Sequence, residues 1–313
     1  MLSCEILPEI ITFAPRKPSI MSGALKEVRN RIKSVQSTQQ ITKAMKMVSA
    51  AKLRRAQDAI TQMRPYAKKL SEMLSNIVSN TEGDVNMALA ATRPVEKAMI
   101  IIVTSDRGLC GGYNSNLIKL AKQVVQEKYP AQNAKGNVQI LPIGKKGYEY
   151  FTKNGFKVVD QYWQILHGLS FDKVQAAAKY AMDAFANKEI DAVELVYSEF
   201  KNAATQRFAT EQFLPVLKVE KTAGQKNADF IFEPGKDVLI AELMPKILNT
   251  QLFKATLDAN ASEHGARMTA MDKASDNANE LLKTLKISYN RARQAAITTE
   301  LTEIVSGAAA LQG

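Results

Sequence analysis

The apolar residues run from Leu25, Val28, Ile32 and Val35 through Ile41, Met45 and Val48 to Ile60, Met63, Ala67, Leu70, Leu74 and Ile77, mostly in steps of three and four. That spacing lines one face of a helix. No glycine interrupts it between Gly23 and Gly83, and its only proline, Pro65, is expected to bend the helix rather than end it. A helix of about 55 residues rises roughly 80 Å, longer than a globular domain is wide, so the pattern predicts a helix that projects and needs a partner along its length.

The other end of the chain supplies one. From Lys236 to Leu311 an apolar seam passes through Ile240, Leu243, Ile247, Leu252, Leu257, Met271, Leu282, Leu285, Leu301 and Ile304, and Pro245 and Gly265 are its only breakers before Gly307. Many seam positions are Ala or Ser (Ala261, Ser275, Ala278, Ala292, Ala296, Ala308), which lets a neighbouring helix approach closely but buries little area per residue. Two such helices at opposite termini most simply pair antiparallel as a coiled coil.

Between them the period changes. Ala98 to Thr104 is a continuous apolar run, Asn114 to Glu127 reads as helix, Val138 to Ile143 as strand, and Lys145 to Asn154 as helix. Phe156 to Val159 is short and apolar, Phe171 to Ala186 helical, Ala192 to Phe200 a strand, and Arg207 to Val219 extended. Alternating strands and helices argue a small α/β domain with a mostly parallel, Rossmann-like sheet, inserted between the coiled-coil helices. The expected divisions are a leader at 1–21, the first helix at 22–80, the α/β domain at 81–235 and the last helix at 236–313. The leader carries Glu5, Glu9, Pro8, Pro15 and Pro18 and no basic segment ahead of an apolar core. It does not read as a targeting segment, and the expectation is that the native start is Met21.

Charge narrows the partners. The chain carries 42 Lys plus Arg against 31 Asp plus Glu, a net +11. Between Ser22 and Ser79 twelve basic residues meet three acidic ones, so most of the excess lies on the first helix. Nucleic acid, an acidic protein and an anionic membrane surface all remain open on that ground. A nucleic-acid reading is weakened because Tyr66 is the only aromatic among those basic residues and no docking motif is present. The longest apolar run, Ala98 to Val103, is far short of the roughly 20 residues a helical span needs.

Chemistry-bearing motifs are scarce. The stretch Ser105 to Gly112, SDRGLCGG, follows a strand and precedes a helix, where a phosphate-cradling turn would sit, yet Gly108, Gly111 and Gly112 do not have the G-x-G-x-x-G spacing. A structural turn is the expectation, with Asp106 and Arg107 as a local ion pair and Cys110 as a partly buried thiol. Two cysteines and two histidines make neither a metal centre nor a recognisable triad, so no catalytic, cofactor-binding or metal-binding residue is expected.

Four stretches, QITKAMKMVSAAKLRRAQ at 40–57, SDRGLCGGYNSN at 105–116, SEHGARMTAMDKA at 262–274 and ITTELTEIVSGAAA at 297–310, together resemble the γ subunit of F-type ATP synthases, in that family's order. The resemblance implies a rotor shaft and no catalysis by the chain itself. Its paired helices would turn inside a hexamer of three α and three β subunits, and the α/β domain would rest on ε and the c-subunit ring. It implies rotor–stator contacts at Met45, Lys46, Lys52, Arg54, Arg55, Arg293, Gln294, Thr298 and Glu300, and contacts on the c-ring and ε side at Phe230, Phe232 and Glu233. Nucleic acid and cofactors are not among the implied partners, and the implied location is the cytoplasmic face of a bacterial inner membrane.

Overall fold

The computed structural model describes residues 20–79, 89–203, 205–216 and 236–312. The chain forms two compact units, Met1–Thr42 with Ala274–Gly313, and Lys43–Lys273. Helix α1 (Ile20–Ser79) and helix α6 (Lys236–Gln312) each contribute to both, with Pro65 and Pro245 lying inside them rather than at their ends.

In the first unit the two helices pair antiparallel. Arg29 donates to the Tyr289 hydroxyl at 2.9 Å, Gln39 bonds Asn279, and the Thr42 and Ser275 hydroxyls meet at 2.8 Å, so partners on α6 fall in number as those on α1 rise. Ala278, Leu282 and Leu285 are buried, while Leu25, Val28, Ile32 and Val35 are half-buried. Ile41, expected on the seam, is 59% exposed and Thr42 takes its place. One residue is a turn of about 100°, and the hydroxyl pair with Ser275 can be satisfied only when Thr42 points inward. Along α6 the seam ends early: Leu301, Ile304 and Leu311 are exposed.

The second unit is built on a five-stranded sheet. Its strands are β1 (Ala98–Val103), β2 (Val138–Ile143), β3 (Lys157–Val158), β4 (Ala192–Phe200) and β5 (Gln206–Leu214), in the order β3-β2-β1-β4-β5. Pairings among the first four are parallel and β5 runs antiparallel to β4. Crossovers use α2 (Tyr113–Lys128), a short α3 (Pro130–Ala134) that the periodicity does not announce, α4 (Lys145–Lys153) and α5 (Phe171–Ala186).

Strand β1 explains the layering. All six residues are buried, and alternate side chains point to opposite faces. Met99, Ile101 and Val103 join Val174, Ala178 and Phe185 of α5 and Leu248, Leu252 and Ala255 of α6 in one core. Ala98, Ile100 and Ile102 join Leu117, Ala121 and Val125 of α2 and Phe151 of α4 in the other. A third cluster packs Leu53, Ala56 and Ile60 of α1 on Phe200, Leu257 and Ala261. Val48, expected on the α1 seam, is 57% exposed and its neighbour Ser49 is buried, its hydroxyl donating to the Met45 carbonyl.

The connection from β2 to α4 hugs the end of β1. Gly144 has φ +110°, and a Cβ there would fall 2.3 Å from the Thr104 carbonyl oxygen. Gly155 has φ +75° but nothing near its missing Cβ. Gly144→Ala should therefore destabilise the protein by more than about 3 kcal/mol, and Gly155→Ala by only about 1 kcal/mol, in equilibrium urea unfolding.

Candidate functional site

In doubly wound sheets ligands bind beyond the carboxyl ends of the strands where the order reverses, here beside β1 and β4. The β1–α2 loop lies there, and several of its polar side chains are engaged with one another. The Ser105 backbone N–H donates to Asn114 Oδ1 at 3.0 Å, the Ser105 hydroxyl donates to the Arg107 carbonyl at 2.7 Å, and Asn114 Nδ2 reaches the Cys110 sulfur at 3.2 Å. The loop also presents the carbonyls of Arg107 and Gly108 to the guanidinium of Arg267 on α6, at 2.9 and 3.4 Å.

This corrects two expectations. Asp106 and Arg107 form no ion pair among the described residues; Asp106 accepts the Lys145 backbone N–H at 3.1 Å, tying the loop to α4. Cys110 is fully rather than partly buried. The surrounding titratable groups do not form an acid–base pair. Burial, reinforced by Arg267 and Lys52, pushes His264 down to about 4, so it is neutral near pH 7. Burial raises Glu263 while Arg267, 2.6 Å away, works the other way. Burial also lifts the Tyr113 phenol, which donates to the Ala259 carbonyl at 2.9 Å. Among the described residues no cluster of His, Cys, Asp or Glu could hold a metal.

The residues implied as contacts fall into three groups. In the second unit, Lys46 pairs with Asp272 at 2.5 Å, Met45 is half-buried, and Lys52, Arg54 and Arg55 are exposed. In the first unit, Arg293, Gln294, Thr298 and Glu300 are all exposed, and the Thr298 hydroxyl donates to the Gln294 carbonyl one turn back. Phe230, Phe232 and Glu233 lie outside the described residues. A further feature of the first unit is an exposed apolar set near the end of α6, with Ile297, Leu301, Ile304, Val305 and Leu311 between 49% and 90% exposed. Periodicity alone assigns several of these to the seam.

A cavity of about 900 Å³ in the second unit is walled by Arg64 of α1, Glu199 of β4, Glu211 of β5, and Lys254 and Asp258 of α6. Asp258 is buried, and Arg64 stands 3.9 Å from its Oδ1, which accepts no hydrogen bond from the protein. Burial pushes its carboxyl up to about 6 against the pull of Lys254 and Arg64, with Glu199 and Glu211 adding to the rise.

The described residues form a helix pair and an α/β domain, with Arg267 bonded to the β1–α2 loop and most of the described contact candidates on exposed helix surface. Residues 24–311 match the family model described as ATP synthase. The ATP synthase gamma chain of Cytophaga hutchinsonii is 52% identical over 291 residues, covering 92% of this chain and 99% of the relative. That of Chlorobaculum tepidum is 49% identical over 288 residues, again covering 92% and 99%. In fold, the chain resembles one from the rotor of the Euglena gracilis mitochondrial ATP synthase, with a TM-score of 0.61 at 20% identity over 88% of this chain and 99% of that one. The chain belongs to the ATP synthase family, among its gamma chains. Gamma chains are non-catalytic subunits of ATP synthases.

Asp258 gives a pH signature. A carboxyl raised from 3.8 to about 6 binds more protons folded than unfolded between those values, so its contribution to stability falls as pH rises through that window. Asp258→Asn should match the wild-type melting temperature near pH 4 and exceed it at pH 8, as read by calorimetry.

Proposed function

We propose that this chain is the central rotor shaft of an F-type ATP synthase, coupling ion flow through a c-subunit ring to conformational cycling of catalytic β subunits. The observation that carries the reading is the antiparallel pairing of α1 with α6, together with the exposed apolar set near the end of α6. A helix pair of this kind needs a surrounding sleeve. The resemblance to γ subunits implies the α3β3 hexamer as that sleeve, with ε and the c ring at the α/β domain. The helices of 22–80 and 236–313 would carry the hexamer contacts and the domain of 81–235 the membrane-side contacts. The complex would sit at the cytoplasmic face of a bacterial inner membrane.

The mechanism follows from asymmetry. Two helices of different sequence present a different face to each of three equivalent β subunits, so each shaft angle carries different contact free energies with open and closed conformers. That difference is the coupling. Rotation driven from the ring would cycle nucleotide affinity, and hydrolysis would turn the shaft the other way.

Arg293, Gln294, Thr298 and Glu300 would make the angle-specific polar contacts, each contributing about 0.5–3 kcal/mol depending on charge. The hydroxyl proton of Thr298 is engaged within its own helix, leaving its oxygen to accept a bond from a partner. Lys52, Arg54 and Arg55 would face acidic β surfaces through screened pairs of about 0–1 kcal/mol, so each single Ala change should leave coupled activity largely intact. A Lys at Met45 would place an added charge on a half-buried seam flank and resist rotation. Phe230 and Phe232 would supply aromatic anchoring toward the c ring, with the Glu233 carboxylate beside them.

Co-expression with α and β subunits should yield a stoichiometric hexamer-bound species; recovery of the chain free of α and β would sink the reading. In the assembled complex, Gln294→Leu combined with Thr298→Val should lower ATP turnover several-fold while assembly stays near wild type. Wild-type turnover in the assembled double variant would remove the contact role.

A further inference from the structure

Over the sheet, α6 is lined with small residues. Ala255, Ala259, Ala261, Gly265 and Ala266 are buried, and a Cβ at Gly265 would come within 3.2 Å of the Ala203 carbonyl oxygen. Such a surface allows close approach, but its burial changes little when the helix turns about its own axis, because apolar contact is non-directional. Directional contacts must set the angle.

Four side chains supply them within about three turns of α6. Tyr113 donates to the Ala259 carbonyl at 2.9 Å, Ser262 to the Ser198 carbonyl at 3.2 Å, and Thr269 to the Ala203 carbonyl at 3.2 Å. The fourth is Arg267, which bridges two carbonyls of the β1–α2 loop while Glu263, one turn earlier, holds its other nitrogen at 2.6 Å. The Glu263 and Arg267 side chains are 11% and 9% exposed. Charge-assisted bonds in so dry a place are stronger and stiffer than those of the three neutral contacts. The loop receiving them is braced in turn by Asn114, Ser105 and Asp106.

We propose that Glu263 and Arg267 form a torsional clamp that fixes the angular register of α6 on the α/β domain, with the β1–α2 loop as its seat. The proposal rests on the rotor reading, since a fixed angle matters only where torque passes between the domain and the helix. It accounts for a glycine-rich loop at a ligand-crevice position whose spacing fits no phosphate. Gly108 offers its carbonyl to the guanidinium, and Gly111, at φ +61°, brings the backbone near Ala270, with 3.8 Å between the Ala270 Cβ and the position of a Gly111 Cβ. Arg267 and Glu263 are positioning residues that touch no nucleotide.

The test is mechanical. The chain is assembled with α and β subunits, the hexamer is fixed to a surface, and a bead is attached to the domain through Lys122→Cys on the exposed side of α2, in a Cys4→Ser background. The angular spread of the bead during a catalytic dwell gives the torsional stiffness. Arg267→Ala should lower it at least twofold, and Arg267→Lys, which keeps a charge beside Glu263 but loses the two-carbonyl fork, should fall between. Lys128→Ala, which breaks a pair with Glu194 elsewhere in the domain, should leave it unchanged. Wild-type stiffness in a rotating Arg267→Ala complex overturns the clamp. If that variant does not assemble, Arg267→Lys decides: reduced stiffness supports the clamp and wild-type stiffness overturns it. Failure of the wild-type bead to rotate stepwise overturns the rotor reading itself, a result read separately from any stiffness ratio.

Discussion

The burial of both faces of β1 is the constraint from which the second unit follows. A strand with no solvent face must be covered twice, and α2 and α4 cover one side while α5 covers the other only in part. The remainder is covered by α6. Leu248 and Leu252 are 2% and 0% exposed, and burying such side chains contributes about 1.5–3 kcal/mol each. The long C-terminal helix is therefore a layer of the domain's own core, and the domain cannot keep its fold while that helix departs.

The same helix brings Arg267 to the β1–α2 loop, beside the position that such sheets offer to ligands, and acids elsewhere in the domain join its elements. Glu194 on β4 accepts from Lys128 at 2.7 Å and from the Tyr129 hydroxyl at 3.2 Å. Burial would raise Asp191, but the backbone N–H groups of Lys97 and Glu96 and the Arg93 guanidinium hold it below the usual carboxylate range, binding the start of β1 to the start of β4. Asp258 differs from Asp191: burial pushes its carboxyl up to about 6 against the pull of Lys254 and Arg64, and its Oδ1 accepts no hydrogen bond from the protein.

Period and run length made the elements legible: the bounds of β2, β4 and α5 are those expected, and β1 and α4 differ by one residue at an end. The antiparallel helix pair was legible from two seams at opposite ends. What the seams could not fix was phase. Ile41 and Val48 fit a three-four spacing as well as Thr42 and Ser49 do, and hydrophobicity favours the wrong pair. For Thr42 the deciding term is a hydroxyl pair that exists only once Ser275 is known to lie opposite, while the Ser49 hydroxyl bonds the Met45 carbonyl of its own helix. Arg267 was hidden for the same reason: it sits in a quoted motif, but its partners are 160 and 159 residues away in sequence and are backbone carbonyls, which leave no side-chain signature. The four contacts implied near residue 300 rest on resemblance alone, because an exposed polar residue on a helix looks the same whether it meets water or a partner.

The end of α6 combines two kinds of surface with different angular behaviour. Ile297, Leu301, Ile304, Val305 and Leu311 expose large apolar side chains, and covering each in a sleeve would contribute up to about 1.5–3 kcal/mol. An apolar wall satisfies such a side chain at many angles, so their sum holds the shaft in the sleeve while varying little as it turns. Arg293, Gln294, Thr298 and Glu300 are exposed on the same helix, and a hydrogen bond from any of them exists only over a narrow range of distance and direction. Retention would come from the first set and angular preference from the second. A shaft held mainly by polar bonds would have to break most of its attachment at every step, whereas one held by burial has to break only the few contacts that define the angle.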